Sequence, residues 1–88
     1  MSNFGKRHLA LIHDIPCGLC GAVPVEAHHI LAGRTPGRKS PDALAIPLCV
    51  DCHRGQNGIH GDRNMWRIMK KSELDILAET YEKLYGVG

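Results

Sequence analysis

Apolar and polar positions alternate along this chain with two periods. Leu9, Ile12 and Ile15 fall at helical spacing and predict a short helix over residues 6–15, ended by Pro16. Residues 23–28 read as a short strand, with Pro24 near its start where an edge position tolerates proline. Residues 43–48 read as a second strand. Between them, residues 33–41 form a turn-rich loop carrying Arg34, Arg38 and Lys39. A helical turn begins at Asp51, weakened by Gly55. Asp62 is placed to cap a helix over residues 63–70. Ser72-Glu73-Leu74-Asp75 resembles a second helix start, a capping box with Asp where Glu is usual. Leu74, Leu77, Tyr81 and Leu84 make one apolar stripe that Gly86 terminates. This last helix reads as a packing element, with Glu73, Glu79, Glu82 and Lys83 on a solvated face. The expected fold is small α+β, with helices at both ends.

The length of 88 residues predicts one domain, with a core over about 16–60 and C-terminal helices over about 62–86. Apolar residues make up 43% and aromatic residues 5%, so the core is thin and needs a staple. No apolar run reaches the roughly 18 residues of a membrane span, and no signal peptide is visible, so the expected location is the cytoplasm. A net charge of +2 permits a nucleic-acid partner without requiring one.

The four cysteines form two C-x2-C pairs, Cys17/Cys20 and Cys49/Cys52. Each such turn aims two thiolates at one point, and two turns complete a tetrahedron around zinc. Gly18 and Gly21 suit a tight knuckle. The competing reading, two disulfides, lacks any sign of export. With four thiolates bound, such a zinc has no open position, so it is structural. It would supply on the order of 10 kcal/mol of folding free energy.

Of six histidines, His28, His29, His53 and His60 lie around these knuckles, while His8 and His13 read as surface or packing residues. Adjacent histidines on a strand face opposite sides, so His28 and His29 meet different partners. His60 lies seven residues after His53. An unbroken helix would separate them by about 10.5 Å along its axis. Gly55 and Gly58 instead imply a turn that folds His60 back toward His53. Glu26 and Asp51 read as exposed, with support of the imidazoles as the alternative. Trp66 reads as a core anchor.

A C-x2-C pair, His-His-Ile, a Gly/basic loop, Asp-x6-Cys-x2-Cys-His and a further His, spanning residues 16–60, together resemble the HNH endonucleases with their ββα-metal (His-Me finger) core. His8-Leu9-Ala10, Ile15-Pro16-Cys17 and Ile46-Pro47-Leu48-Cys49 look closest to the phage-borne, Ref-like recombination-enhancement branch. The resemblance implies that His28, His53 and His60 hold a catalytic divalent cation and that His29 is the general base. Asp42, standing where the family usually has Asn, would orient that base.

It further implies hydrolysis of DNA phosphodiester bonds, leaving 5′-phosphate and 3′-hydroxyl ends. Three imidazoles suit zinc, nickel or cobalt, while phosphate oxygens would let magnesium or manganese serve. Arg34, Arg38, Lys39 and Arg54 are candidate phosphate contacts, which give affinity with little sequence specificity. Arg63, Arg67, Lys70 and Lys71 either extend that surface or form a solvated helix face. A Ref-like protein acts beside a RecA filament, though no residue here marks such a contact, and monomer and homodimer both remain open. The competing function is a non-catalytic zinc-knuckle module that binds DNA or a protein. Only a catalyst has a use for an unliganded His29 beside a ligand.

Overall fold

The computed structural model describes residues 3–31, 40–56 and 58–86. Its elements run α1 (Phe4–Ile12), β1 (Glu26–His29), a short 3-10 turn (Asp42–Leu44), β2 (Ala45–Leu48), α2 (Val50–Arg54), α3 (Asn64–Met69) and α4 (Glu73–Tyr85). The α+β class expected from the sequence is observed, with a two-stranded antiparallel sheet. Its register pairs Glu26 with Leu48, Ala27 with Pro47, His28 with Ile46 and His29 with Ala45.

Several boundaries differ from those read along the sequence. Helix α1 ends at Ile12, and residues 13–15 leave it through turns in which Asp14 N and Ile15 N donate to Leu11 O and Ile12 O. The residue before a proline is disfavoured in a helix, so Ile15 cannot continue it. Strand β1 begins at Glu26, since Val23 and Pro24 lie outside the ladder and are exposed. Asp62 does not cap α3. The capping position is Arg63, in left-handed backbone, with no side-chain cap.

At α4 the expected capping box is present: Asp75 N donates to Ser72 Oγ and Ser72 N donates to Asp75 Oδ2. Gly86 closes the helix in left-handed backbone. The buried stripe is rotated from the expected one. Ile76 and Thr80 are its centre, whereas Leu74 is 56% exposed. Tyr81 donates to Ala43 O at 2.5 Å, which fixes the rotation.

The cap gives a testable expectation. Ser72→Ala should cost about 1 kcal/mol of stability, read by urea unfolding. Hydrogen bonds from the Ser72 backbone and side chain hold the Asp75 carboxyl below its usual range. The unfolded chain therefore takes up that proton more readily, and the Asp75 contribution is present above the ordinary aspartate value of 3.8 and lost as pH falls through the lower folded one. In Ser72→Ala that part of the acid sensitivity should be smaller.

The core gathers Leu19, Val25, Ile30, Ile46, Leu48, Ile59, Trp66 and Ile76 together with Cys17, Cys49 and Cys52. Trp66 is the anchor expected, its indole N–H donating to Cys52 O at 3.2 Å. A second packing residue, outside that cluster, is His8, which is fully buried. One ring nitrogen of His8 meets Ala45 O at 2.8 Å and the other Tyr85 Oη at 2.7 Å. Its ring stacks with Phe4 and packs on Tyr81, joining α1 to α4. Among the described residues no helix is long and apolar enough to cross a membrane.

Candidate metal centres

Two groups of side chains are close enough together to hold a metal ion. In the first, the sulfurs of Cys17, Cys20, Cys49 and Cys52 lie within 4.8 Å of one another. All four are free thiols, so the disulfide reading fails. Cys20 Sγ and Cys49 Sγ are 3.6 Å apart, close to the roughly 3.8 Å edge that a tetrahedron with 2.3 Å metal–sulfur bonds requires. The first knuckle is built by Cys17 N donating to Ala22 O and Gly21 N to Cys17 O. Gly21 holds φ +80, where a side chain would be strained. The second knuckle places Cys49 at the capping position of α2 and Cys52 inside it.

The thiol environment is divided. Burial raises the Cys17 thiol, yet N–H donors from Leu19, Cys20 and Cys49 outweigh it and hold it at about 7. Burial pushes the Cys20 and Cys52 thiols up. This compact set of four sulfurs is compatible with a zinc site.

In the second cluster, ring nitrogens of His28, His53 and His60 lie within 4.8 Å of one another. Ring centroids are 4.9 Å apart for His28–His53, 5.4 Å for His28–His60 and 5.1 Å for His53–His60. The loop after α2 brings His60 back, as the glycines implied. His60 N donates to His53 O, Ile59 N to Cys52 O and Gly58 N to Gly55 O. A β-carbon at Gly58 would stand 2.6 Å from Asp51 O and 2.8 Å from Cys52 O, so only glycine permits this closure.

Carboxylates position two of these imidazoles. Glu73 Oε2 stands 2.6 Å from His28 Nε2 and accepts from Leu31 N at 2.8 Å. Glu26 Oε1 stands 2.9 Å from His53 Nδ1, while its other oxygen accepts from Arg54 at 2.7 Å. A carboxylate can only accept, so each facing ring nitrogen carries the hydrogen and the opposite nitrogen keeps a lone pair. Burial, set against the pull of Glu73, leaves His28 below its usual imidazole range and therefore neutral near pH 7. The hydrogen bond from His53, with help from Arg54, holds Glu26 below the usual carboxylate range. His60 is exposed and has no carboxylate partner among the described residues.

His29, next along β1, faces away from this cluster. Its Nε2 meets Asp42 Oδ1 at 2.8 Å, so in the neutral ring Nδ1 is the nitrogen with the lone pair. Both groups are partly open to solvent.

Two expectations from the sequence are corrected here. Glu73 is not on a solvated face, since it sits in a buried contact with His28. Glu26 is not simply exposed, since it joins His53 to Arg54. The sequence holds no signal for Glu73, because 45 residues separate it from His28 and only the docking of α4 joins them. The same helix packs Ile76 against the first knuckle, where a β-carbon on Gly18 would stand 2.4 Å from Ile76 Cγ2. One helix thus touches both clusters. Asp51 remains exposed. Arg54 is ion-paired yet 63% exposed, whereas Arg34, Arg38 and Lys39 lie outside the described residues.

The fold and site together define a small α+β protein with a two-stranded sheet, a four-sulfur cluster and a three-imidazole cluster. The chain belongs to the family described as protein of unknown function, DUF968, whose model matches residues 3–88. No curated protein and no solved structure matches it.

Proposed function

We propose that this protein is a metal-dependent endonuclease of the HNH type, hydrolysing DNA phosphodiester bonds with little sequence preference. The observation that carries the reading is the convergence of His28, His53 and His60 beside a His29–Asp42 pair directed elsewhere. The order β1, β2, α2 is in keeping with a ββα core, with the four-cysteine cluster as its structural zinc site.

The residues fit a divalent cation. Glu73 and Glu26 fix the His28 and His53 rings, and His60 completes a three-nitrogen donor set. Such a cation, when bound, supplies Lewis acidity toward the phosphate and the departing 3′ oxygen. The remaining work falls to the chain. Asp42 holds the His29 ring through Nε2, so Nδ1 takes the proton from the attacking water. Charge on Asp42 also steadies the imidazolium that results. Arg54 presents an exposed cation beside the cluster for a flanking phosphate.

Plasmid cleavage with magnesium, manganese or nickel, with and without EDTA, tests the proposal. Metal-dependent nicking or linearisation is the expected result. Failure to cut DNA under any of these ions overturns it and leaves the zinc-knuckle binding module as the reading.

Glu73 carries a prediction of its own. Glu73→Gln should weaken cation binding at the imidazole cluster by about 10- to 100-fold. Isothermal titration with nickel reads this while zinc content and helicity stay unchanged. Equal nickel affinity in parent and variant would show that the carboxylate does not position His28.

A further inference from the structure

A cleft of about 270 Å³ opens between α3 and α4, walled by Ile59, Arg63, Trp66, Lys71 and Leu74. Two of its residues connect it to the imidazole cluster. Glu73, at its edge, is the residue that contacts His28, and Ile59 directly precedes His60. Two cations stand in one small space. Arg63 Nε donates to Ile59 O at 3.2 Å, which lays the guanidinium along the cleft wall. Lys71 follows Lys70, whose left-handed backbone turns the chain from α3 into the cleft. Lys71 is ion-paired with Glu79 and partly open.

Arg63 itself holds φ +59, a conformation that glycine or asparagine adopts at lower cost. Strain of this sort persists where the surroundings impose it, and it gathers at functional sites. The apolar side of the cleft is equally telling. Leu74 is 56% exposed although it lies one residue from the buried contact of Glu73. Trp66 is held rigid below by its hydrogen bond to Cys52 O. Of the acids there, Glu73 is engaged by His28 and Leu31 N–H, and Glu79 is paired with Lys71.

Building on the nuclease reading, we propose that this cleft seats one nucleotide unit of the DNA strand beside the scissile phosphate. Arg63 and Lys71 take its phosphate, and Ile59 and Leu74 cover its sugar and base. Two cations beside an apolar wall match the two halves of a nucleotide, and Glu73, shared between the cleft and His28, links that unit to the strand being cut. A lone phosphate would use only the cationic half.

Trp66 is the chain's single tryptophan, so its emission reports directly on the cleft. Zinc-loaded protein without added magnesium is titrated with a short oligothymidylate, with thymidine 5′-monophosphate and with inorganic phosphate. The oligonucleotide should change Trp66 emission most strongly, the mononucleotide more weakly, and phosphate alone not at all. A response to the mononucleotide without one to the strand would overturn the proposal in favour of a free-nucleotide site. Two variants spare the fold. Arg63→Gly relieves the left-handed backbone, and Leu74→Glu adds an acid to the first turn of α4, which suits the helix dipole. Each should weaken oligonucleotide binding by about 5- to 10-fold. Arg63→Gly should also lower the salt dependence of binding by about 0.7 in log–log slope, one phosphate contact on a single strand.

Unchanged affinity and slope in these variants, with circular dichroism unaltered, would sink the assignment. The two readings fail separately. Plasmid cleavage with Trp66 indifferent to the strand discards the cleft and keeps the nuclease. A responsive cleft in a protein that never cuts DNA keeps the nucleotide site and discards the nuclease.

Discussion

Removing metal from the four-cysteine cluster should unfold the protein. A structural zinc contributes on the order of 10 kcal/mol. A domain of this size has a total stability of roughly 5–15 kcal/mol. Cys17, Cys49 and Cys52 are themselves core residues, packed with Leu48, Trp66 and Ile76, so the knuckles and the core form together. Without the ion, four thiols crowd where burial penalises their ionisation at Cys20 and Cys52. The measurement is far-ultraviolet circular dichroism against increasing chelator, with released zinc followed by a colorimetric indicator. One zinc per chain should leave in step with the loss of helix. Cys52→Ser should give the unfolded signal without chelator. The more open imidazole cluster should lose its cation at lower chelator concentration, with no change in helicity. A chain that releases its zinc and keeps its helices would refute the stapling role.

The second large effect is at His29. His29→Ala should lower DNA cleavage by about a hundred- to ten-thousand-fold, the range spanned by removal of a general base. Zinc content, melting temperature and nickel binding should stay at parental values, because His29 faces Asp42 and is partly open to solvent. Asp42→Asn tests the orienting contact. It keeps a hydrogen-bonding oxygen and removes the charge, so cleavage should fall by less than in His29→Ala. Full cleavage by His29→Ala would remove that residue from the chemistry and require another base.

Much of this architecture is legible in residue order. Two C-x2-C turns need only local geometry to aim their sulfurs, and the four sulfurs do cluster. His28 and His29 are parted by the period of a strand, and His60 returns because Gly58 permits a backbone approach that a side chain would block. The Ser72–Asp75 cap and the Gly86 stop are likewise local. Boundaries were less legible. Capping chemistry points to Asp62 as the cap of α3, whereas the structure has Arg63, in left-handed backbone, at that position and starts the helix at Asn64. Periodicity puts Leu74 on the buried stripe, yet the buried surface of α4 is centred on Ile76 and Thr80.

The chain's order of residues alone determined the candidate ligand types, their grouping into two sets, and the elements that carry them, since each depends on contacts a few residues apart. Tertiary docking decided which acids meet the imidazoles. Glu73 reaches His28, Glu26 reaches His53, and Arg63 comes to share a cleft with Leu74, all across separations that no period or motif spans. The physical reason is that a carboxylate on an amphipathic helix looks the same in sequence whether it meets water or an imidazole. Only the rotation and seating of α4 on the core distinguish the two.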